Sequence, residues 1–597
     1  MTENNLATLI RARTAQYGDR TALRHKQDGR WLDTSWRERG RQIDAAACSL
    51  LALAVGEGEN VAIFSPNRPE WSVADYAVIS VRAVSVPIHA TDTARQAKYI
   101  LDETQARLVF VGSQAHYDRV IELWSESAYL ERVIVFDPAV DLRGEARSLR
   151  WEAFMTQGAA DPALQKELSE RLARIVPSDL ATIIYTSGTT GEPKGVMLDH
   201  ANFSAAFRAH DARLDVSEAD VSMCFLPLSH VFERTWSFYC VHRGLTIAMA
   251  DHPANIVPCL QEARPTVMCA VPRFYEKIFG TVFDKLERAP RHRKWLFRQA
   301  LAVGGRVAAL RREGRPVPVA LRLRHAVAQR LVLKKLQAIC GGRIRFFPCA
   351  GAPLSRHIEE FFHAAGLHVT MGYGLTETTA TVSCHDRTGF IPGTVGRPID
   401  GVEVRIGEGG EIQVRGETVM RGYYKKPAAT AEVTTEDGWF RTGDAGTFED
   451  GILTITERIK DLMKTSCGKY VAPQLIETTL GNDHYIEQVS VIGDLRKYVT
   501  ALVVPAFEAL EDWARTHGVA FGSREELVAK PEIHSFYEKR IAQRQKDLAD
   551  HEKVKRFRLL PQAFSQEAGE ITASLKLRRK FILEKYRTII DSLYAVE

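Results

Sequence analysis

Between Tyr185 and Val196 the chain reads Tyr-Thr-Ser-Gly-Thr-Thr-Gly-Glu-Pro-Lys-Gly-Val. Glycine lets backbone N–H groups close on an anion with no Cβ in the way. Successive backbone donors make a concave nest for phosphate oxygens. Thr186, Ser187, Thr189, Thr190 and Lys194 add hydroxyls and positive charge around Gly188. The spacing is not that of the common nucleotide P-loop, which wants Gly, four residues, then Gly-Lys-Ser/Thr. Here Lys194 follows Pro193, six residues after Gly188. A lone loop of this composition is usually a solvated turn. The phosphate reading therefore leans on four later stretches: Ala350-Gly351-Ala352-Pro353, Gly372-Tyr373-Gly374-Leu375-Thr376-Glu377-Thr378, Thr442-Gly443-Asp444, and Arg458 to Pro473. Each alone is an ordinary turn. Their order, taken with the loop, is not what chance supplies.

These residues need elements to hold them. Ala181-Thr-Ile-Ile184 is a short β-branched run, so a strand feeds the loop. Upstream, residues 6–17 and 36–53 read as helices. Val61–Phe64, Val84–Ile88, Leu108–Val111 and Val133–Phe136 read as buried strands, with a helix over 71–81. Such alternation predicts parallel sheets covered on both faces, with ligands at the carboxyl ends of strands. From about 391 to 457 the texture turns to short strands and turns, a small β-subdomain. From Asp461 onward a mixed segment is long enough to be its own domain.

A chain of 597 residues is too long for one core. Its 45% hydrophobic and 26% charged content is that of an ordinary globular enzyme, and a net charge of +5 argues against a general nucleic-acid binder. Nine scattered cysteines without a Cys-x-x-Cys pair point to a reducing compartment rather than a zinc or disulfide framework. The N-terminus has no signal-peptide core. No uncharged run reaches the roughly 20 residues that span a bilayer. A soluble, cytoplasmic protein is expected. Residues 284–336 stand apart: between Arg291 and Lys335 thirteen basic residues face one acid, Glu313, with Trp295, Leu310, Leu321 and Leu331 interleaved. Two readings stand for this segment, an amphipathic surface for anionic lipid at the inner membrane face and a solvated helical hairpin. Nucleic acid is a poorer third, because no recognition motif accompanies the charge.

With those motifs in order, the sequence resembles the adenylate-forming (AMP-forming) acyl-CoA synthetase family from Trp36 to Phe581. Within the family it is most similar to long-chain fatty acid–CoA ligases, through Leu226-Pro-Leu-Ser-His230-Val-Phe-Glu-Arg234, Lys464 to Pro473, and Gly569 to Arg579. The resemblance implies an α/β fold. A large N-terminal domain (1–459) would hold two doubly wound sheets plus a small β-barrel-like subdomain. A smaller, mobile α+β C-terminal domain (460–597) would swing about a hinge at Lys460. It also implies two steps. A carboxylate joins the α-phosphate of ATP and releases pyrophosphate; the thiol of coenzyme A then displaces AMP. Thr186, Ser187, Gly188, Thr189, Thr190 and Lys194 would hold the β- and γ-phosphates. Glu377, helped by Thr186, would bind Mg²⁺. Gly351, Ala352, Pro353 and Tyr373 would line the adenine slot, with Gly374 and Thr376 completing the nucleotide contacts. Asp444 would take the ribose hydroxyls, and Arg458 would sit beside ribose and α-phosphate. Lys576 is the candidate catalytic lysine of the first step. Lys464, with Gly468 and Lys469, lies on the face presented for the second. His230 takes a substrate-side role against the alternative of a core histidine, and Phe232 and Trp236 are either channel-lining or core. The family often forms homodimers.

Three residues depart from the pattern. Cys467 stands where many members have glycine beside the pantetheine path, Ala573 where proline is commoner, and Leu495 where a small or basic residue is commoner. Cys467 favours a rival, a fatty acyl-AMP ligase that passes the acyl group to a carrier protein; Gly468 opposes it. A non-catalytic membrane scaffold on a dead synthetase fold is opposed by the intact Thr186, Glu377, Asp444, Arg458 and Lys576.

Overall fold

The computed structural model describes residues 5–186, 192–252, 255–386, 390–459, 462–466, 469–566, 568–571 and 577–595. Ser187, Gly188, Thr189, Thr190, Lys460, Cys467, Gly468, Ala573 and Lys576 lie outside the described residues.

An eight-stranded sheet forms the first layer. Its order is Gly422–Tyr423, Lys194–Asp199, Leu180–Thr186, Val84–Ile88, Asn60–Phe64, Leu108–Val111, Arg132–Val135 and Ser148–Arg150. From Leu180–Thr186 to the last strand all neighbours are parallel; the first two strands pair antiparallel. The period of two along Asn60–Phe64 explains the double covering. Val61 and Ile63 face a core shared with the helices Trp36–Ala52 and Pro69–Ser80. Ala62 and Phe64 face another, shared with Ala94–Thr104 and Gln114–Leu123.

A second sheet runs Val221–Cys224, Thr246–Met249, Thr21–Gln27 and Arg30–Ser35. Parallel bridges at Val267 and Ala270 carry it on to Phe347–Cys349, Val369–Tyr373, Ser383–Cys384 and Arg397–Pro398. The hairpin Thr21–Gln27/Arg30–Ser35 is an addition to the elements expected from sequence. Its strands carry charge where apolar alternation is sought, but the turn, Asp28-Gly29 at φ 50° and 77°, is a strong hairpin signal. A third, antiparallel sheet of Val402–Ile406, Glu411–Gly416, Phe440–Glu449 and Ile452–Arg458 closes on its own small core around Ile412, Val414 and Leu453.

The C-terminal part is a mixed sheet of Ile486–Ile492, Val499–Pro505 and Val554–Leu559. Alternation again serves two cores. Ala501 and Val503 pack with the helices Pro473–Gly481 and Pro531–Arg544; Leu502 and Val504 pack with Arg579–Lys585 and Arg587–Tyr594. This part rests on the large one through Asn482, whose side chain donates to Ser355, and through His484, whose Nδ1 lies 3.0 Å from Asp284.

The basic segment folds as a hairpin of helix Arg291–Arg312 and helix Val319–Ala328, the latter continuing through a π-turn at Gln329–Leu333 into Lys334–Ile339. Gly304 lets it pack tightly: a Cβ there would lie 2.0 Å from the Ala364 carbonyl oxygen. Among the described residues, no helix is long and apolar enough to cross a membrane.

Candidate active site

The loop read as a phosphate cradle joins two antiparallel strands. Leu180–Thr186 enters it, Lys194–Asp199 leaves it, and Thr186 pairs directly with Lys194. The Thr186 hydroxyl donates to the Lys194 carbonyl at 3.4 Å. The stem is pinned from outside, where Tyr185 donates to Glu103 at 2.6 Å. Lys194 directs its ammonium at the ring of Tyr423, 4.9 Å from the centroid. Tyr423 in turn donates from its hydroxyl to Glu377 Oε1 at 2.8 Å. Burial and the neighbouring Glu377 both raise the Tyr423 pKa, so the phenol stays protonated as that donor. Tyr423 also pairs with Val196, and Met420 N–H donates to the Glu377 carbonyl at 2.8 Å. One strand therefore ties the loop to the carboxylate expected to hold metal. Sequence reasoning missed Tyr423. Its signal is the run Gly422-Tyr-Tyr-Lys-Lys-Pro427, an edge strand stopped by proline.

The residues expected to line the nucleotide slot gather at the carboxyl ends of two parallel strands. Gly351, Ala352 and Pro353 are exposed and follow Phe347–Cys349; Tyr373 closes Val369–Tyr373. Gly351 holds φ 93°, a left-handed conformation natural to glycine. Gly374 is required by crowding, because a Cβ would lie 2.1 Å from the Ala380 carbonyl oxygen. That close approach turns the chain into the single turn Thr376–Thr378, which buries Thr376 and leaves Glu377 half-exposed.

Asp444 is buried and doubly engaged. Tyr373 donates to Oδ2 at 2.7 Å and Arg458 Nε donates to Oδ1 at 3.1 Å. The strand register places Asp444 opposite Arg458, and Thr442 Oγ1 accepts from the Asp444 N–H at 3.1 Å. Burial and Asp444 raise the Tyr373 pKa, which keeps this phenol a donor too. A carboxylate offers about four acceptor sites, so a diol finds room beside Tyr373 and Arg458.

His230 caps the helix Val231–Arg243, with Nδ1 accepting from Phe232 N–H at 3.3 Å. A second histidine, His89, lies beside it with ring centroids 6.4 Å apart. His89 Nδ1 is 2.9 Å from Ser229 Oγ, and burial pushes its pKa down to about 4, so it works neutral. Asn67 ties the same loop to the first sheet, donating to the Leu226 carbonyl at 2.7 Å and accepting from Leu228 N–H at 2.8 Å. Fully buried Glu233 accepts from Leu226 N–H at 3.1 Å, and burial raises its pKa to about 7. Sequence reasoning missed His89 and Asn67, which follow the strands Val84–Ile88 and Asn60–Phe64 at the end where ligands bind. Trp236 belongs to the core, its Nε1 donating to Ser222 at 2.9 Å.

Lys464 and Lys469 stand apart from this cluster. Lys464 N–H donates to Asp494 Oδ1 at 3.0 Å and Lys469 N–H donates to Thr465 Oγ1 at 3.2 Å. Both side chains are exposed. Among the described residues, no hydrogen bond, ion pair or ring contact joins either lysine to Glu377 or Asp444. Leu495, at φ 56° and 77% exposed, is a surface turn residue.

The chain is similar to known proteins over its whole length. A profile of AMP-binding enzymes matches residues 10–424, and a profile of the AMP-binding enzyme C-terminal domain matches residues 460–597. A long-chain-fatty-acid–CoA ligase of Mycobacterium bovis is 35% identical over 602 residues, covering 100% of this chain and 98% of its own. A peroxisomal long chain acyl-CoA synthetase of Arabidopsis thaliana is 29% identical, covering 95% of this chain and 82% of its own. Among solved structures, the adenylation domain of a carboxylate reductase from Mycobacterium chelonae superposes with a TM-score of 0.76 at 23% identity. It covers 100% of this chain and 92% of that one. The corresponding domain from Segniliparus rugosus, solved with AMP and a carboxylic acid, gives the same TM-score, covering 95% of that chain. The chain belongs to the AMP-binding enzymes, the adenylate-forming family that includes the acyl-CoA synthetases.

Proposed function

We propose that this protein activates a long-chain fatty acid to its coenzyme A thioester, consuming ATP and releasing AMP and pyrophosphate. One observation carries the reading. Two carboxylates are braced: Glu377 by Tyr423, whose ring meets Lys194, and Asp444 between Tyr373 and Arg458. That is a phosphate pole and a ribose pole. Such a site suits a reaction in which the substrate supplies the nucleophile and the protein supplies position and charge.

A fatty-acid carboxylate oxygen forms a bond to the α-phosphorus as the bond to pyrophosphate breaks. The coenzyme A sulfur then bonds to the acyl carbon as the bond to AMP breaks, and the thiol proton leaves to solvent. Lys194, with Thr186, Ser187, Gly188, Thr189 and Thr190, holds the β- and γ-phosphates. Gly351, Ala352, Pro353, Tyr373, Gly374 and Thr376 receive the adenine. Asp444 binds the ribose hydroxyls, and Arg458 reaches ribose and α-phosphate. Glu377 offers a half-exposed hard oxygen, and Thr186 a hydroxyl, so these residues fit Mg²⁺, which takes one or two carboxylates plus phosphates. When bound, Mg²⁺ neutralises phosphate charge. Lys576 acts in the first step. Rotation of the C-terminal domain (460–597) about Lys460 then presents Lys464 and Lys469 for the second, so one cleft serves twice. His230, with His89 beside it, faces the acyl carboxylate and the thiol path. The proposal includes a cytoplasmic location, peripheral contact with the inner membrane surface through residues 284–336, and homodimer formation.

Pyrophosphate release measured across fatty acids of graded length, with and without coenzyme A, tests the function. Release that rises with chain length, with thioester formed only when coenzyme A is added, is expected. Release with no thioester would assign the acyl group to a carrier protein, and no release with any fatty acid would refute the reading.

A further inference from the structure

The outer face of the helical hairpin is apolar and basic together. Val319, Leu323, Val327 and Leu331 are 68, 66, 58 and 45% exposed. They follow one another every four residues. In an α-helix each such step overshoots a full turn by about 40°. The wider i→i+5 turn at Gln329–Leu333 brings Leu331 back toward the line of the other three. The core side of this helix is occupied by other residues: Ala328, Leu333 and Leu336 are buried with Phe297 and Ala300 of the preceding helix. The stripe is therefore surplus to the fold. Trp295, on that preceding helix, is 63% exposed.

Cations surround the stripe. Arg322, Arg324, Arg330, Lys334 and Lys335 are exposed, and among the described residues none of the five has a carboxylate partner. Glu313, the one acid between Arg291 and Lys335, is taken by Arg315 at 3.1 Å. Nucleic acid would meet these cations but leave four aliphatic side chains in water. A second copy of the same face would set arginine against arginine. A surface that is anionic in its plane and apolar beneath satisfies both features.

We propose that the face carried by Val319, Leu323, Val327 and Leu331 docks on an anionic lipid bilayer. The aliphatic side chains enter the boundary between headgroups and acyl chains, and the flanking guanidinium and ammonium groups sit on the lipid phosphates. Trp295 is placed as an interfacial anchor. This deepens the proposed peripheral contact by naming its face. It does not depend on the ligase chemistry, because binding is read without turnover.

The test is co-sedimentation of the full-length protein with vesicles of phosphatidylglycerol and phosphatidylcholine, or of phosphatidylcholine alone. Binding to the anionic vesicles is expected, weakened at least tenfold by about 0.5 M salt, with little binding to the neutral ones. The double variant Leu323→Asp/Val327→Asp is expected to lose at least tenfold in binding. Its circular dichroism and its pyrophosphate release from detergent-dispersed fatty acid should stay unchanged. Arg322→Glu/Arg330→Glu is expected to lose binding similarly. Wild-type protein that ignores anionic vesicles, or binds neutral ones equally, would overturn the proposal. So would an aspartate variant that binds like wild type. A protein that self-associates without lipid and is dissociated by Leu323→Asp would give the stripe to a second copy instead.

Discussion

Tyr423 is the residue on which the proposed phosphate pole turns. It touches the Lys194 ammonium with its ring and Glu377 with its hydroxyl. A hydrogen bond to a charged acceptor contributes about 1.5–3 kcal/mol, and about 1.4 kcal/mol is a factor of ten in rate. Tyr423→Phe keeps the ring and removes the donor. It is expected to lower kcat for pyrophosphate release about tenfold and to raise the Mg²⁺ concentration needed for half-maximal rate. An unchanged Mg²⁺ dependence would show that Tyr423 does not position Glu377. At this scale the sequence was partly legible. Glu377, Asp444 and Arg458 are singled out through the ordered motifs and the resemblance they carry, and the structure places Asp444 between Tyr373 and Arg458. Tyr423 and His89 are not, because each reaches the site through strand pairing or ring proximity with residues more than a hundred positions away. Nothing local in the sequence marks such a contact.

At the scale of elements, the turn carrying Glu377 is set by backbone crowding at Gly374. Any side chain there meets the Ala380 carbonyl at 2.1 Å. Gly374→Ala is expected to push the Thr376–Thr378 turn outward, at a cost of about 1–3 kcal/mol in stability. Pyrophosphate release should fall more than tenfold. Urea unfolding and the release assay together check this; full activity with unchanged stability would contradict it. The strands near the site were readable because each is a short, mostly apolar and fully buried run, as in Asn60–Phe64 and Val84–Ile88. The hairpin Thr21–Gln27/Arg30–Ser35 was hidden by its charged strands, the first of which pairs with the distant Thr246–Met249. The basic helices were legible as helices, but their outward stripe was not. Composition interleaves Leu321 with Leu331, and only packing shows Leu323 and Val327 facing water while Ala328 and Leu333 face the core.

For the whole molecule, buried histidines set the acid limit. Burial pushes His200, His210, His363 and His385 each down to about 4. Their ordinary value is about 6.5, so the fold holds them neutral while the unfolded chain takes up protons. Their stabilising contribution is full above about pH 6.5 and is lost as pH falls toward 4. Glu233 works in the opposite sense: raised to about 7, it favours the fold below its ordinary range and loses that contribution as pH rises through 7. The apparent thermal midpoint is expected to fall by several degrees between about pH 7.5 and pH 5; a midpoint that rises over this range would contradict the account.

The texture after Asp461 reads as a segment long enough for its own domain, and the strands Ile486–Ile492, Val499–Pro505 and Val554–Leu559 form a sheet with its own cores there. The use of one cleft for two steps is the central claim, and it requires the C-terminal domain to deliver Lys576 to the first step only. The direct measurement is both half-reactions of Lys576→Ala: pyrophosphate release from ATP and fatty acid, and thioester formation from preformed acyl-AMP and coenzyme A. The account predicts that the first is lost by at least a hundredfold while the second stays within a few-fold of wild type. Equal loss of both would contradict it.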